Sequence, residues 1–136
     1  MEKQTLILDA SVIVKWFLSE QLTDKAIILK KKYLSEEINI IVPELLFIEV
    51  VNALRYKNNN EEKLVEISNL LFDINFKVER ISNSLLNKAI INSKKFDITI
   101  YDSIYISLAQ IHGVDLITSD SELFKIPNVL PLDRIS

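Results

Sequence analysis

Four acids occupy positions from which they could do chemistry: Asp9, Glu49, Asp102 and Asp120. Asp9 closes the apolar run Thr5–Leu8 and is followed by the small residues Ala10 and Ser11. Glu49 interrupts Leu45–Leu54, LLFIEVVNAL, and Asp102 ends Thr99-Ile100-Tyr101-Asp102. Asp120 ends Ile117-Thr118-Ser119-Asp120. Carboxylates packed together raise one another's pKa values unless a cation neutralises them. The chain has no cysteine and one histidine, so soft or imidazole-rich metal sites are not available to it. Hard oxygen ligands select Mg²⁺ or Mn²⁺, ions that keep several waters and engage substrate phosphates. Such ions can generate a nucleophile from water and stabilise in-line displacement at phosphorus. The chemistry that follows is metal-dependent phosphodiester hydrolysis.

Taken singly, each acid also has a purely structural reading. Asp9 is placed to cap a helix. Asp102 would sit at the third helical position after a Thr99 cap, as in a capping box with Asp in place of Glu. Ser119 or Asp120 could cap the turn that holds Glu122 and Leu123. Glu49 could belong with Glu44, Asn52 and Arg55 to the polar stripe of an otherwise apolar helix. The residues alone leave both readings open, and the placement of the acids on their elements has to weigh between them.

Apolar runs alternate with longer amphipathic segments along the chain. Strands are expected at Thr5–Asp9, Ile38–Val42, Phe76–Ile81, Val114–Thr118 and Asn128–Leu132, rich in β-branched residues. Helices are expected from Ser11 to Leu18, from a Thr23 cap to Leu34, from Pro43-Glu44 to about Lys57, and over Glu61–Phe72. Two more follow, from Ser82 or Ser84 to about Lys95, and over Ile100–His112, where Gly113 marks the C-terminal end. Ser121–Phe124 reads as one helical turn, and Asn58–Asn60 as an exposed turn. Alternating strands and helices predict a parallel sheet in a three-layer α/β/α sandwich, formed by residues 1–136 as a single domain. In such a sheet, strand C-termini and the first turns of the following helices meet at one edge, and ligands bind there. Asp9, Asp102 and Asp120 all fall at such points.

Composition narrows the function further. With 49% hydrophobic residues, the 136-residue chain can fill a core without disulfide staples. The absence of cysteine fits a reducing, cytoplasmic setting. Met1-Glu2-Lys3-Gln4 runs straight into a short strand with no signal-peptide pattern, and no apolar stretch is long enough for a membrane span. A net charge of −3 argues against a general nucleic-acid coat, while leaving room for an enzyme with acids in its site and lysines on its rim. Lys30-Lys31-Lys32 and Lys94-Lys95 read as solvated helix faces.

Four segments carry a family resemblance that covers nearly the whole chain. They are Leu8-Asp9-Ala10-Ser11-Val12 with Lys15-Trp16-Phe17; Pro43-Glu44-Leu45-Leu46 through Glu49-Val50-Val51-Asn52-Ala53-Leu54; Tyr101-Asp102-Ser103 with Tyr105 and Ser107-Leu108-Ala109; and Leu116-Ile117-Thr118-Ser119-Asp120. In that order and spacing the sequence resembles the PIN-domain ribonucleases, and among them the VapC-type toxins of type II toxin–antitoxin systems. Ser103 stands where relatives commonly carry alanine, and Ser119 occupies a position the family varies. The resemblance implies Mg²⁺ or Mn²⁺ at Asp9, Glu49, Asp102 and Asp120, and endonucleolytic cleavage of RNA. It also implies a homodimer and a small antitoxin partner that blocks the site. Asp9 and Asp102 are then the strongest metal ligands, with Asp120 and Glu49 completing the site directly or through waters.

Other residues have plainer expectations. Ser11, Thr118 or Ser119 could hold site waters or cap helices. Lys15 reads as solvated, Trp16 and Phe17 as core rather than base-stacking, and His112 as a helix-end residue. The apolar residues around Trp16 and on the Glu61–Phe72 helix are candidates for partner contact. A phosphatase of the haloacid dehalogenase type wants a second aspartate where Ser11 stands. Two alternatives remain: a PIN nuclease that processes RNA without an antitoxin, and a non-catalytic PIN-like module that binds RNA or protein.

Overall fold

The computed structural model describes residues 3–57 and 60–136. Its five strands are β1 (Gln4–Leu8), β2 (Ile38–Pro43), β3 (Lys77–Glu79), β4 (Asp115–Thr118) and β5 (Val129–Pro131). Its helices are α1 (Ala10–Ile13), α2 (Thr23–Leu34), α3 (Leu45–Arg55), α4 (Glu61–Asp73), α5 (Asn83–Phe96) and α6 (Ile100–His112). The strands form one sheet in the order β3-β2-β1-β4-β5, and every pairing is parallel. Helices cover the sheet in a three-layer α/β/α sandwich. Leu6, Ile7 and Leu8 of β1 are therefore all buried, as are Ile40, Ile41 and Val42 of β2. A strand covered on both faces buries consecutive residues, which is why these read as unbroken apolar runs.

The chain steps outward from β1 through β2 to β3, then returns to lay β4 on the other side of β1. The strand order thus reverses between β1 and β4, and the crevice at their C-terminal ends is where open α/β sheets bind ligands. Helix α6 leads into β4 and is the most deeply buried helix, with every residue from Ser103 to Ala109 inside. Small residues allow this. The Ser103 hydroxyl donates to the Ala89 carbonyl of α5. Asn92 of α5 donates its side-chain amide to Ser107 Oγ and to Gln110 Oε1, both at 2.9 Å. These bonds satisfy the polar groups that close packing of α5 on α6 buries.

The expected elements are present, with several corrections. The first helix is split into the single turn α1 and a 3-10 turn over Val14–Trp16. The third strand keeps only Lys77–Glu79, since it lies at the sheet edge with a single partner, β2. Pro43 closes β2 instead of opening α3, and α3 ends at Arg55. Thr23 is the first residue of α2 and not its cap: Leu22 precedes it in the left-handed region at φ 68°, and the Thr23 hydroxyl donates back to the Leu18 carbonyl. Of the turn expected at Asn58–Asn60, Asn58 and Asn59 lie outside the described residues. Asn60 caps α4 by accepting from the Lys63 amide at 2.8 Å.

Gly113 ends α6 as expected, at φ 63°. An added Cβ there would meet nothing within 4 Å, so the cost of a side chain is conformational alone. We expect Gly113→Ala to lower the unfolding free energy by about 1 kcal/mol, as holding a non-glycine residue left-handed costs. Urea denaturation at equilibrium measures this; an unchanged midpoint would show that the glycine is dispensable.

Candidate active site

Asp9 leaves β1 with extended backbone and caps α1, accepting from the Ser11 amide at 3.1 Å. The capping role is real, and it does not exhaust the side chain. Oδ1 also accepts from the Ser11 hydroxyl at 2.5 Å, and Oδ2 accepts from the Thr118 hydroxyl at 2.6 Å. Thr118 is the last residue of β4. Each hydroxyl has one proton, given to Asp9, so each can serve its neighbour only as an acceptor. Ser11 Oγ takes the Ser119 amide at 3.0 Å, and Thr118 Oγ1 takes the Asp120 amide at 3.1 Å. One carboxylate and two hydroxyls thereby tie the C-terminal ends of β1 and β4 together at the switch point.

The other acids arrive from three directions. Glu49 projects half-buried from α3 and accepts the Tyr105 hydroxyl at 2.7 Å. Asp102 lies in the first turn of α6, its amide donating to the Thr99 cap at 3.1 Å. Asp120 follows β4 and caps the 3-10 turn Ser121–Leu123 through the Glu122 amide at 3.0 Å. Asp9, Glu49, Asp102 and Asp120 line one small polar cleft of about 120 Å³, together with Ala10, Ser11 and Tyr105. Larger hollows lie elsewhere, including one of about 470 Å³ by Thr5, Asn39 and Lys77 at the N-terminal edge of the sheet. The small cleft is the one that carries the converging acids, and chemistry outweighs volume here.

The electrostatics of the cleft are those of uncompensated negative charge. Burial pushes the Asp9 carboxyl up to about 6, against the pull of the Ser11 and Thr118 hydroxyls, and the charges of Asp102 and Glu49 push the same way. Burial likewise raises Glu49, with Asp102 adding to it while the Tyr105 hydroxyl opposes. Asp102 is raised by burial and by the charge of Asp120. Among the described residues, no lysine or arginine lines the cleft.

Among the described residues, no three acid, histidine or cysteine side chains meet closely enough to chelate one ion between them. A hard divalent ion does not need that. Mg²⁺ takes one or two carboxylates and fills the remaining positions with water and substrate phosphates. An all-oxygen donor set and acids that repel one another fit such an ion.

The other singled-out residues fall elsewhere. Asn52 is exposed and outside the cleft. Lys15 is not solvated: it is buried and pairs with Glu20 at 3.0 Å. Trp16 is core, its indole N–H donating to the Ala26 carbonyl at 2.8 Å, so it offers no contact surface. His112 binds the Glu79 carboxylate at 2.8 Å, away from the cleft. Ser119 contributes only its amide. Tyr105 was not expected to touch an acid. Its place three residues after Asp102 on one helix is the signal that could have revealed it.

Fold and cleft define an α/β domain with an acid cluster at its switch point. Residues 6–129 match the PIN domain model, and the chain belongs to that family. Solved structures of similar fold include a toxin–antitoxin complex from Klebsiella pneumoniae, 16% identical, with a TM-score of 0.71 over 93% of this chain and 97% of that one. The sarcin-ricin loop cleaving toxin VapC20 of Mycobacterium tuberculosis is 12% identical, with a TM-score of 0.70 over 91% and 96% of the two chains. VapBC2 of Rickettsia felis, solved on a promoter DNA fragment, is 14% identical, with a TM-score of 0.62 over 94% and 97%. No curated protein sequence matches the chain.

The raised Asp9 carboxyl has a stability signature. Its folded value of about 6 exceeds the ordinary 3.8, so the folded state holds the proton more tightly. Stability therefore falls as pH rises from about 4 through 6 and levels off near 7, by up to about 3 kcal/mol from this group. In EDTA, the stability of Asp9→Asn relative to the parent should rise over that window and then flatten. Urea denaturation at a series of pH values reads this, and a difference that does not vary with pH would leave Asp9 as a cap only.

Proposed function

We propose that this protein is a metal-dependent endoribonuclease and the toxin of a toxin–antitoxin pair. The observation that carries the proposal is the meeting of Asp9, Glu49, Asp102 and Asp120 in one cleft at the switch point of a PIN-domain sheet. Proteins of similar fold include a toxin–antitoxin complex and a toxin described as cleaving the sarcin-ricin loop. Asp9 and Asp102 would hold Mg²⁺ or Mn²⁺, with Asp120 and Glu49 completing the site directly or through waters. The bound ion supplies positive charge against the phosphate and acidifies a water for attack at phosphorus. The chain's own part is to keep Asp9 fixed through Ser11 and Thr118, ready to lose its proton near neutral pH. The cleft is too small to swallow a nucleotide, so the RNA strand must lie across its mouth with one phosphate reaching in.

Among the described residues, no helix is long and apolar enough to cross a membrane. A cytoplasmic setting, where RNA is at hand, belongs to the proposal. An antitoxin partner has an apolar groove of about 460 Å³ available between α3 and α4, where Phe47 stacks on Phe72 with centroids 4.3 Å apart. Phe72 and Ile48 are exposed there. Exposed Leu86 and Ile90 of α5, beside Tyr101, offer a separate face for a homodimer.

Purified protein should cut single-stranded RNA in Mg²⁺, stop in EDTA, and lose about 100-fold or more of its activity in Asp9→Asn. Cutting that persists in EDTA or in that variant sinks the mechanism. Phe72→Glu should keep RNA cleavage while abolishing co-purification with the product of a neighbouring antitoxin gene. Retained co-purification would move the partner to another surface.

A further inference from the structure

We propose that Tyr105 is a positioning residue, whose hydroxyl holds Glu49 in the acid cleft. The proposal rests on the metal-dependent function proposed above. Tyr105 is 2% exposed and lines the cleft with the acids. Its hydroxyl has one proton, and that proton goes to Glu49 Oε1 at 2.7 Å. The bond crosses from α6 to α3. These helices stand apart over much of their length, with an apolar hollow of about 600 Å³ lined by Leu45 and Ile48 on one side and Ile100 and Ile104 on the other. The Glu49 carboxylate sits at the end of a long, freely rotating side chain, and Asp102 repels it. Left untethered, it would relieve that repulsion by swinging toward solvent, away from the other acids. The buried hydroxyl opposes this by engaging one oxygen and leaving the second for the cleft. Asp102 and Tyr105 stand three apart on α6, so one helical face both contributes an acid and fixes the acid opposite.

A divalent ion arriving at the cleft then finds Glu49 already in place and need not pay to order it. Side chains that orient metal ligands in this way are worth about 10- to 100-fold in affinity. Calorimetric titration of the full chain with MnCl₂ tests the proposal. Tyr105→Phe keeps the buried ring and removes only the hydroxyl. It should bind Mn²⁺ about 10- to 100-fold more weakly than the parent, with an unchanged melting temperature in EDTA. Glu49→Ala should lose a similar amount, and the double variant no more than Glu49→Ala alone, because the hydroxyl acts only through that carboxylate. Affinity within about twofold of the parent in Tyr105→Phe, or losses that add in the double variant, overturns the proposal. Should Tyr105→Phe fail to fold, Glu49→Asp carries the test with the tyrosine intact. It keeps the charge but shortens the reach, so it should lose affinity as well, and parental affinity overturns the tether. A parent that binds no Mn²⁺ refutes the metal site itself, an outcome distinct from a binding parent with an unaffected Tyr105→Phe.

Discussion

One buried carboxylate organises the functional end of this molecule. Asp9 stands where β1 ends, enclosed by the central strands and accepting hydroxyl protons on both of its oxygens. An ionised group so placed is costly unless hydrogen bonds and a counter-charge meet it. Ser11 and Thr118 meet part of the cost, and by doing so they clamp the ends of β1 and β4. Among the described residues, no cationic side chain in the cleft meets the rest. The protein therefore holds an electrostatic debt at its switch point that a divalent ion is suited to discharge.

The fold explains why the debt is concentrated rather than spread. Parallel pairing sends β1 and β4 in the same direction, so the residues that follow them, Asp9 and Asp120, emerge side by side. Helix α6 must begin at the same edge because it runs back before feeding β4, and this puts Asp102 at its first turn beside them. Helix α3 leaves β2 at that edge too and presents Glu49 from its second turn. Four sequence-distant acids are brought together by one rule of connectivity. Capping and site formation do not compete here. Asp9, Thr99 and Asp120 all cap helical turns, and those same turns aim the acids inward.

Packing against the sheet sets how firmly the acids are held. One side of α6 carries Ser103 and Ser107, small enough for α5 to approach closely, and the opposite side carries Tyr105, long enough to reach Glu49 on α3. The helix that supplies Asp102 is thus the most constrained in the molecule. Exposed apolar residues such as Ile48 of α3, Phe72 of α4 and Ile91 of α5 face away from this core and are free to meet other chains.

Much of this was legible in the sequence because it is local. Apolar runs located the strands, Gly113 ended α6 for want of a Cβ, and Ser82 capped its helix with its own side chain. Alternation of strand and helix predicted the parallel sandwich, and the acids at strand ends predicted the edge where they meet. What the sequence could not disclose depends on how the chain folds back on itself, near or far along its length. Lys15 reads as a solvated lysine until Glu20 folds back onto it. Thr23 reads as a cap until Leu22 turns left-handed and the hydroxyl finds Leu18 instead. The third strand is short because it has one neighbour and not two. Residue types and their spacing determined which acids could meet. Only the tertiary structure decided that Ser11 and Thr118 would share one carboxylate and that Tyr105 would cross to Glu49, because a hydrogen bond depends on positions in space that spacing along a chain does not specify.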